Sequence, residues 1–361
     1  MKLNLALWAV CACTVVSCEL GAGKYGVDVG QTRSLCGPSV GPGSMPAAVL
    51  LFQRGAQLVG VRVPVGTPFL VPAIPGRAYP GPASPDGRML SVVTETGVGD
   101  ATRQALWVVP LDGSPARALG VEGRRVRSPA WLPTSDALVV EWDKRDFSDV
   151  YRVPLAGGGA PLRLTASENG SFDPAISPDG TQLAFASSRD GNAEIYVQGL
   201  ASGVVTRLTH HPADDTRPAW LSDSRLAWIA YREGSAGLWA VDLPGGSLAQ
   251  LVVRTGVQSM RPGAPSSGDV VAFAVAPGRD RIAVTVVHDD VGILVVDAQS
   301  GAQLASIGGA KADDTPAWSP DGQWLAWTRG TDPEVWLARW DGTAPCRVAD
   351  GWLPRWAINL P

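Results

Sequence analysis

The chain has 361 residues, 45% of them hydrophobic, and a formal net charge of −4; this supplies apolar material for a substantial core and excludes an intrinsically disordered protein. Its 42 glycines and 30 prolines lie well above the usual share, so many turns and short strands are expected rather than long helices. No run of lysines or arginines occurs, and nucleic acid is excluded as a partner because its phosphates require a basic footprint.

Met1-Lys2 supplies one positive charge, and Leu3 to Val16 is apolar apart from Asn4 and Thr14. That run is too short for a permanent membrane span and predicts a signal peptide over residues 1–17. It ends in "VVSC", Val15 to Cys18, which resembles the lipobox of bacterial lipoproteins. The resemblance implies cleavage before Cys18, acylation of that cysteine, and a mature chain held to a membrane outside the cytoplasm, because several acyl chains anchor stably where one does not. In enteric-type bacteria an aspartate after the lipidated cysteine commonly marks inner-membrane retention. Glu19 therefore points to the outer membrane, facing the periplasm, if the cell has one. The alternative is a buried apolar strand in which Cys18 has no special role. Residues 18–45, rich in Gly, Ser and Pro, read as a flexible tether. Cys11 and Cys13 leave with the signal and Cys18 carries lipid, so Cys36 and Cys346 remain, and in an oxidising envelope they are expected to form a disulfide.

From residue 46 to 361 a unit of roughly 45 residues recurs, a period typical of propeller blades. Its opening is "GPASPDG" at 81–87, "SPAWLPTSD" at 128–136, "DPAISPDG" at 173–180, "RPAWLSDS" at 217–224 and "TPAWSPDG" at 315–322, with a weaker "VAFAVAPGRD" at 271–280. In "SPDG" the proline presets φ and the glycine takes a left-handed conformation, so the segment reverses an antiparallel pair. An alternating apolar strand follows ("ALVVEW", "QLAFASS", "WLAWTR"), then a third ("DVYRVPL", "EIYVQGL", "EVWLARW"), a glycine-bearing turn, and a short fourth. Four short strands per unit predict an all-β propeller of antiparallel blades. Three strand-like stretches between Ala47 and Ile74 lack a leading strand, and a solitary one, Leu353 to Ile358, ends the chain. The C-terminal strand is therefore expected to complete the N-terminal blade, which removes both free sheet edges. Counting leading strands gives seven blades.

The stretch Asp173 to Thr209, "DPAISPDGTQLAFASSRDGNAEIYVQGLASGVVTRLT", is similar to the repeat of the TolB-like propellers, also called the WD40-like or PD40 repeat. The family is typically six-bladed, so the resemblance leaves six as the alternative count. It implies a scaffold in the cell envelope that meets a protein partner through loops on one rim. The namesake's N-terminal α/β domain has no counterpart here. The function expected is a non-catalytic, monomeric, lipid-anchored protein-binding scaffold.

Candidates for chemistry are few. His210, His211 and His288 lack metal-ligand spacing, and no G-x-S-x-G nucleophile motif occurs. "ADDT" at 213–216 and 312–315 precedes two leading strands, so Asp214, Asp215, Asp313 and Asp314 are expected on one face around the channel. There they would either ring a hard cation such as Ca²⁺ or a basic partner segment, or serve as turn and strand-start residues. The first option carries a rival function, a Ca²⁺-dependent propeller hydrolase of the lactonase kind. No other cofactor is expected. The 14 tryptophans mostly recur at fixed blade positions, as inter-blade packing requires; a glycan- or small-molecule-sensing platform is the alternative. Trp352 falls outside that pattern.

Overall fold

The second strand of each repeat carries apolar residues on both faces, so it must be covered on both sides, and only a ring of sheets stacked face to face does this for every copy. The computed structural model describes residues 48–63, 67–71, 74–144, 147–156, 159–232, 235–246, 248–252, 269–287, 292–307, 313–330 and 332–358. The signal segment, Cys18, the tether, Cys36, His288 and the side chain of Asp314 lie outside the description. Seven four-stranded sheets form seven blades. In chain order their innermost strands are Trp352–Ile358 (blade 1), Arg77–Ala83 (blade 2), Val126–Trp131 (blade 3), Ser171–Ile176 (blade 4), Asp215–Ser222 (blade 5), Asp269–Val275 (blade 6) and Asp313–Trp318 (blade 7). The expected closure holds: Trp352–Ile358 pairs antiparallel with Ala48–Arg54, Leu50 opposite Trp356.

Seven hydrophobic clusters fill the ring, one at each seam between neighbouring blades. Along Ala48–Arg54, Leu50 and Phe52 enter the seam with blade 7 while Val49 and Leu51 enter the seam with blade 2, as the twofold alternation of a strand dictates. Blade 3 shows the same division between Leu138 and Val139.

The "SPDG" turns close as anticipated. Gly87, Gly180 and Gly322 have φ of 72°, 73° and 66°, and their N–H groups donate to the carbonyls of Ser84, Ser177 and Ser319 at 2.8, 2.9 and 2.9 Å. The sequence did not foretell a further clasp. Each serine hydroxyl donates to the aspartate two residues on, at 2.5 Å, while accepting the N–H that starts the next strand, in Met89, Gln182 and Trp324. These turns gather on one side of the ring, the hairpin face. The connections between blades, and the turns joining second to third strands, gather on the other, the loop face.

Candidate functional site

The channel is lined by the innermost strands, and those of blades 1, 3, 4, 5 and 7 are kinked at one level. Ser128, Asp173, Arg217, Thr315 and Leu353 have φ between 50° and 53°, and each stands directly before a proline of its strand. At each of these places the pairing with the second strand skips, as between Phe172 and Ala175 or Thr216 and Ala219, so these are β-bulges, which re-aim side chains. Left-handed backbone at a non-glycine residue costs about 1–3 kcal/mol and gathers where side chains must be displayed.

Two cavities lie along this channel. One of about 610 Å³ opens toward the hairpin face, between Ala83, Phe273, Pro316, Trp356 and Arg279. The other, about 500 Å³, opens toward the loop face and is lined by Tyr79, Glu95, Gln104, Arg127 and Ser128; Pro82 and Arg355 border both. Within the second, Tyr79 Oη donates to Glu95 Oε1 at 3.3 Å, Gln104 Nε2 donates to Glu95 Oε2 at 3.0 Å, and Gln104 Oε1 accepts the Val126 N–H at 2.9 Å. Burial pushes the Tyr79 phenol above its usual range, with Arg77 opposing and Glu95 reinforcing the shift.

Of the four aspartates singled out in the sequence, Asp214, Asp215 and Asp313 have described side chains, and these reach the loop face but do not stand free. Asp215 is fully buried and holds Arg232 at 2.7 Å; Asp313, 4% exposed, holds Arg329 at 2.7 Å and accepts the Trp327 indole N–H at 3.1 Å. Asp214 is exposed and accepts the Ala193 N–H at 2.9 Å, a strand-start role. Ion pairing therefore uses the oxygens of Asp215 and Asp313 that a cation ring would need. Among the described residues no group of three or more His, Cys, Asp or Glu converges as metal ligands would. The arginines complete a repeated clamp: Arg232 lies over Trp239 at 5.6 Å, Arg329 over Trp336 at 4.3 Å, and Arg189 over Tyr196 at 4.6 Å. Such cation–π contacts add about 0.5–1 kcal/mol at exposed sites.

The recurring tryptophans do pack between blades, with an added polar handle. The indole N–H groups of Trp131, Trp220, Trp318 and Trp356 donate to the inner-strand carbonyls of Pro82, Ala175, Ala274 and Ala317 in the preceding blade, at 2.9–3.1 Å. Trp352 is 45% exposed on the loop face, with Phe147 at 49%, Tyr231 at 49% and Val98 at 89%. His210 is exposed, and His211 Nδ1 accepts the Ala213 N–H at 3.1 Å, so both remain in a loop role. Cys346 opens the outermost strand of blade 7, Cys346–Asp350, and is disulfide-bonded; every other cysteine lies outside the described residues. Neither Glu141 nor Asp173 is among the candidates named from the sequence, yet both lie in the seam between blades 3 and 4 at this mouth.

Residues 163–276 match the TolB beta propeller domain, PD40. An uncharacterized protein of Agrobacterium fabrum, Atu1656, is 31% identical over 202 residues, 54% of this chain and 66% of that protein. Tricorn protease homolog 1 of Streptomyces coelicolor is 38% identical over 122 residues, 32% of this chain and 11% of that protein. The chain thus spans less than two thirds of the length of either relative. Among solved structures, TolB from Acinetobacter baumannii superposes with a TM-score of 0.57 at 19% identity, over 86% of this chain and 83% of that one, a likeness of fold. Repeat sequence and blade architecture agree: the chain folds as a seven-bladed β-propeller, and its residues 163–276 carry the PD40 repeat of the TolB beta propeller domain.

Proposed function

We propose that the protein is a non-catalytic binding scaffold of the bacterial cell envelope whose loop face docks a protein partner. The observation that carries this reading is the rim of the channel mouth, where half-exposed Phe147, Tyr231 and Trp352 stand on the same face as the exposed Arg127 and Arg217. Aromatic and arginine side chains are the groups enriched at protein interfaces and at their energetic centres. The loops that bear them vary without disturbing the blades. Anchoring through Cys18 fits the geometry. Ala48, the first described residue, pairs with Ile358 and Val63 at the hairpin face, so the described chain begins on that side, and with Cys18 as the anchor the loop face would look away from the membrane. Cys36 is the proposed partner of Cys346, fixing the tether to blade 7. Among the described residues no helix is long and apolar enough to cross a membrane.

A hydrolase is the second reading, supported by the Streptomyces relative named as a protease homolog. Crosslinking of the tagged full-length protein in intact cells, followed by mass spectrometry, separates the two. The scaffold reading expects one or a few envelope proteins, lost on Phe147→Ser with Trp352→Ser. Capture of nothing, with stoichiometric Ca²⁺ in the purified protein, would overturn it in favour of the hydrolase.

A further inference from the structure

Among the described residues, buried carboxylates follow a rule with one exception. Among the described residues Glu141, Asp149, Glu194, Asp215 and Asp313 are 0–5% exposed. Asp149 holds Arg163, Glu194 holds Arg207 at 3.1 Å, and Asp215 and Asp313 hold Arg232 and Arg329. Glu141, 5% exposed, has no ion-pair partner among them. A buried charge without a counter-charge is strongly unfavourable, so it is retained only where something compensates it.

Glu141 belongs to the second strand of blade 3, Ala137–Trp142, on the side that carries Ala137 and Val139 into the seam with blade 4. Glu141 pairs across the sheet with Arg127, beside Ser128, whose hydroxyl reaches Asp173, the bulge residue of blade 4, at 3.3 Å, so the two carboxylates approach across this seam and their charges oppose each other. The corresponding residues in the seam between blades 7 and 1 are Thr328 and Leu353, and there the seam is closed: Thr328 Oγ1 accepts the Leu353 N–H at 3.0 Å. Between blades 3 and 4 two carboxylates occupy that place. Asp173 is partly satisfied by the Ser128 hydroxyl and the Arg217 N–H, each at 3.3 Å. Ser148, 8% exposed, contributes toward Glu141 but its Oγ makes no well-formed hydrogen bond. Arg125 and Arg127 favour the ionised Glu141 from a distance, and Arg217 does so for Asp173, while the Arg217 guanidinium is engaged by the Val271 carbonyl. Burial still outweighs these cations and pushes both carboxyls above their ordinary range. This seam also lacks the indole link, because Ile176 stands where blades 1, 3, 5 and 7 place tryptophan.

We propose that Glu141 and Asp173 form the receptor for a basic side chain, lysine or arginine, of the docked partner. The inference rests on the scaffold reading and names the chemistry of what the loop face receives. An ammonium or guanidinium entering at the mouth brings its own N–H donors and supplies the counter-charge that each other buried carboxylate finds in an arginine. Two converging carboxylates, with hydroxyls of Ser128 and Ser148 beside them, suit such a group better than a bare metal ion, which needs more oxygens around it.

Calorimetric titration of the full-length protein with end-capped Gly-Lys-Gly and Gly-Arg-Gly tests this, with Gly-(Nε-acetyl-Lys)-Gly as the uncharged control. Both basic peptides are expected to bind, the acetylated one about tenfold or more weaker, and Glu141→Gln and Asp173→Asn each to weaken the basic peptides about tenfold or more. Glu141→Gln keeps the side-chain shape and removes an uncompensated charge, so it folds, and Asp173→Asn reports on the site independently. No binding of either basic peptide, or binding unchanged in both variants, overturns the inference. If partner capture in cells persists in Glu141→Gln while the peptides fail, this site falls and the scaffold reading stands. If nothing is captured, the scaffold reading falls and the titration still decides the site.

Discussion

Replacing Asp313 by alanine tests most sharply whether the acidic residues ahead of the inner strands are structural. In the folded protein its carboxylate holds Arg329 through two contacts, at 2.7 and 3.4 Å, and accepts the indole N–H of the fully buried Trp327 at 3.1 Å. Alanine leaves the guanidinium, stacked over Trp336, without its counter-ion. Breaking a buried pair from one side costs about 3–5 kcal/mol, and orphaning a buried donor about 1–3 kcal/mol. These overlap because all three groups share one network, so about 4 kcal/mol is the expected loss. The variant Asp313→Asn retains an acceptor for Trp327 and should lose about half of that, roughly 2 kcal/mol, the share of the indole bond being kept. Denaturant midpoints at constant m-value give the comparison. Adding Arg329→Met to Asp313→Ala should restore much of the stability, since a pair replaced by apolar groups is often neutral. A loss below about 1 kcal/mol for Asp313→Ala, the value of an exposed pair, or a loss appearing only when Ca²⁺ is present, would refute the reasoning.

Trp220→Phe should remove the hydrogen bond to Ala175 O between blades 4 and 5 and lower stability by about 1–2 kcal/mol, read by thermal unfolding; an unchanged midpoint contradicts the seam role. Glu141→Gln should stabilise the protein at neutral pH. Because burial raises the folded pKa of Glu141 above its unfolded value, its contribution is fully present below the ordinary glutamate range and is lost as pH rises through the raised value. Glutamine mimics the protonated form, so the variant's advantage should be nil in acid and grow toward pH ~7 by about 1.4 kcal/mol per unit of upward shift. A variant less stable than wild type at neutral pH would mean that Glu141 already has its counter-charge.

Local chemistry explains what could be read without coordinates. Ser-Pro-Asp-Gly carries its own turn, so the hairpins at Ser84, Ser177 and Ser319 were legible one by one. The solitary C-terminal strand and the three N-terminal ones were legible as halves of one blade, since either alone leaves an unpaired edge. The arginine clamps were not, because Asp215 and Arg232 meet across a strand pair that sequence spacing does not reveal. Glu141 did leave a signal. In "ALVVEW" all six side chains are buried, and at the matching place other second strands carry Ala186, Ile229, Thr285 or Thr328. A charged residue in a strand covered on both faces calls for a partner. The left-handed residues ahead of the prolines could not be foreseen, since a residue before proline is ordinarily extended.

Photo-crosslinking from defined positions in intact cells addresses the docking claim most directly. A photoreactive residue placed at Phe147, Tyr231 or Trp352 on the loop face is compared with one at Leu162 or Leu304, exposed on outermost strands toward the hairpin face. The account predicts that the loop-face positions capture a common envelope protein and the outer-strand positions do not. Capture of that protein from Leu162 and Leu304 alone would place the interface on the outer edge of the ring and contradict the account.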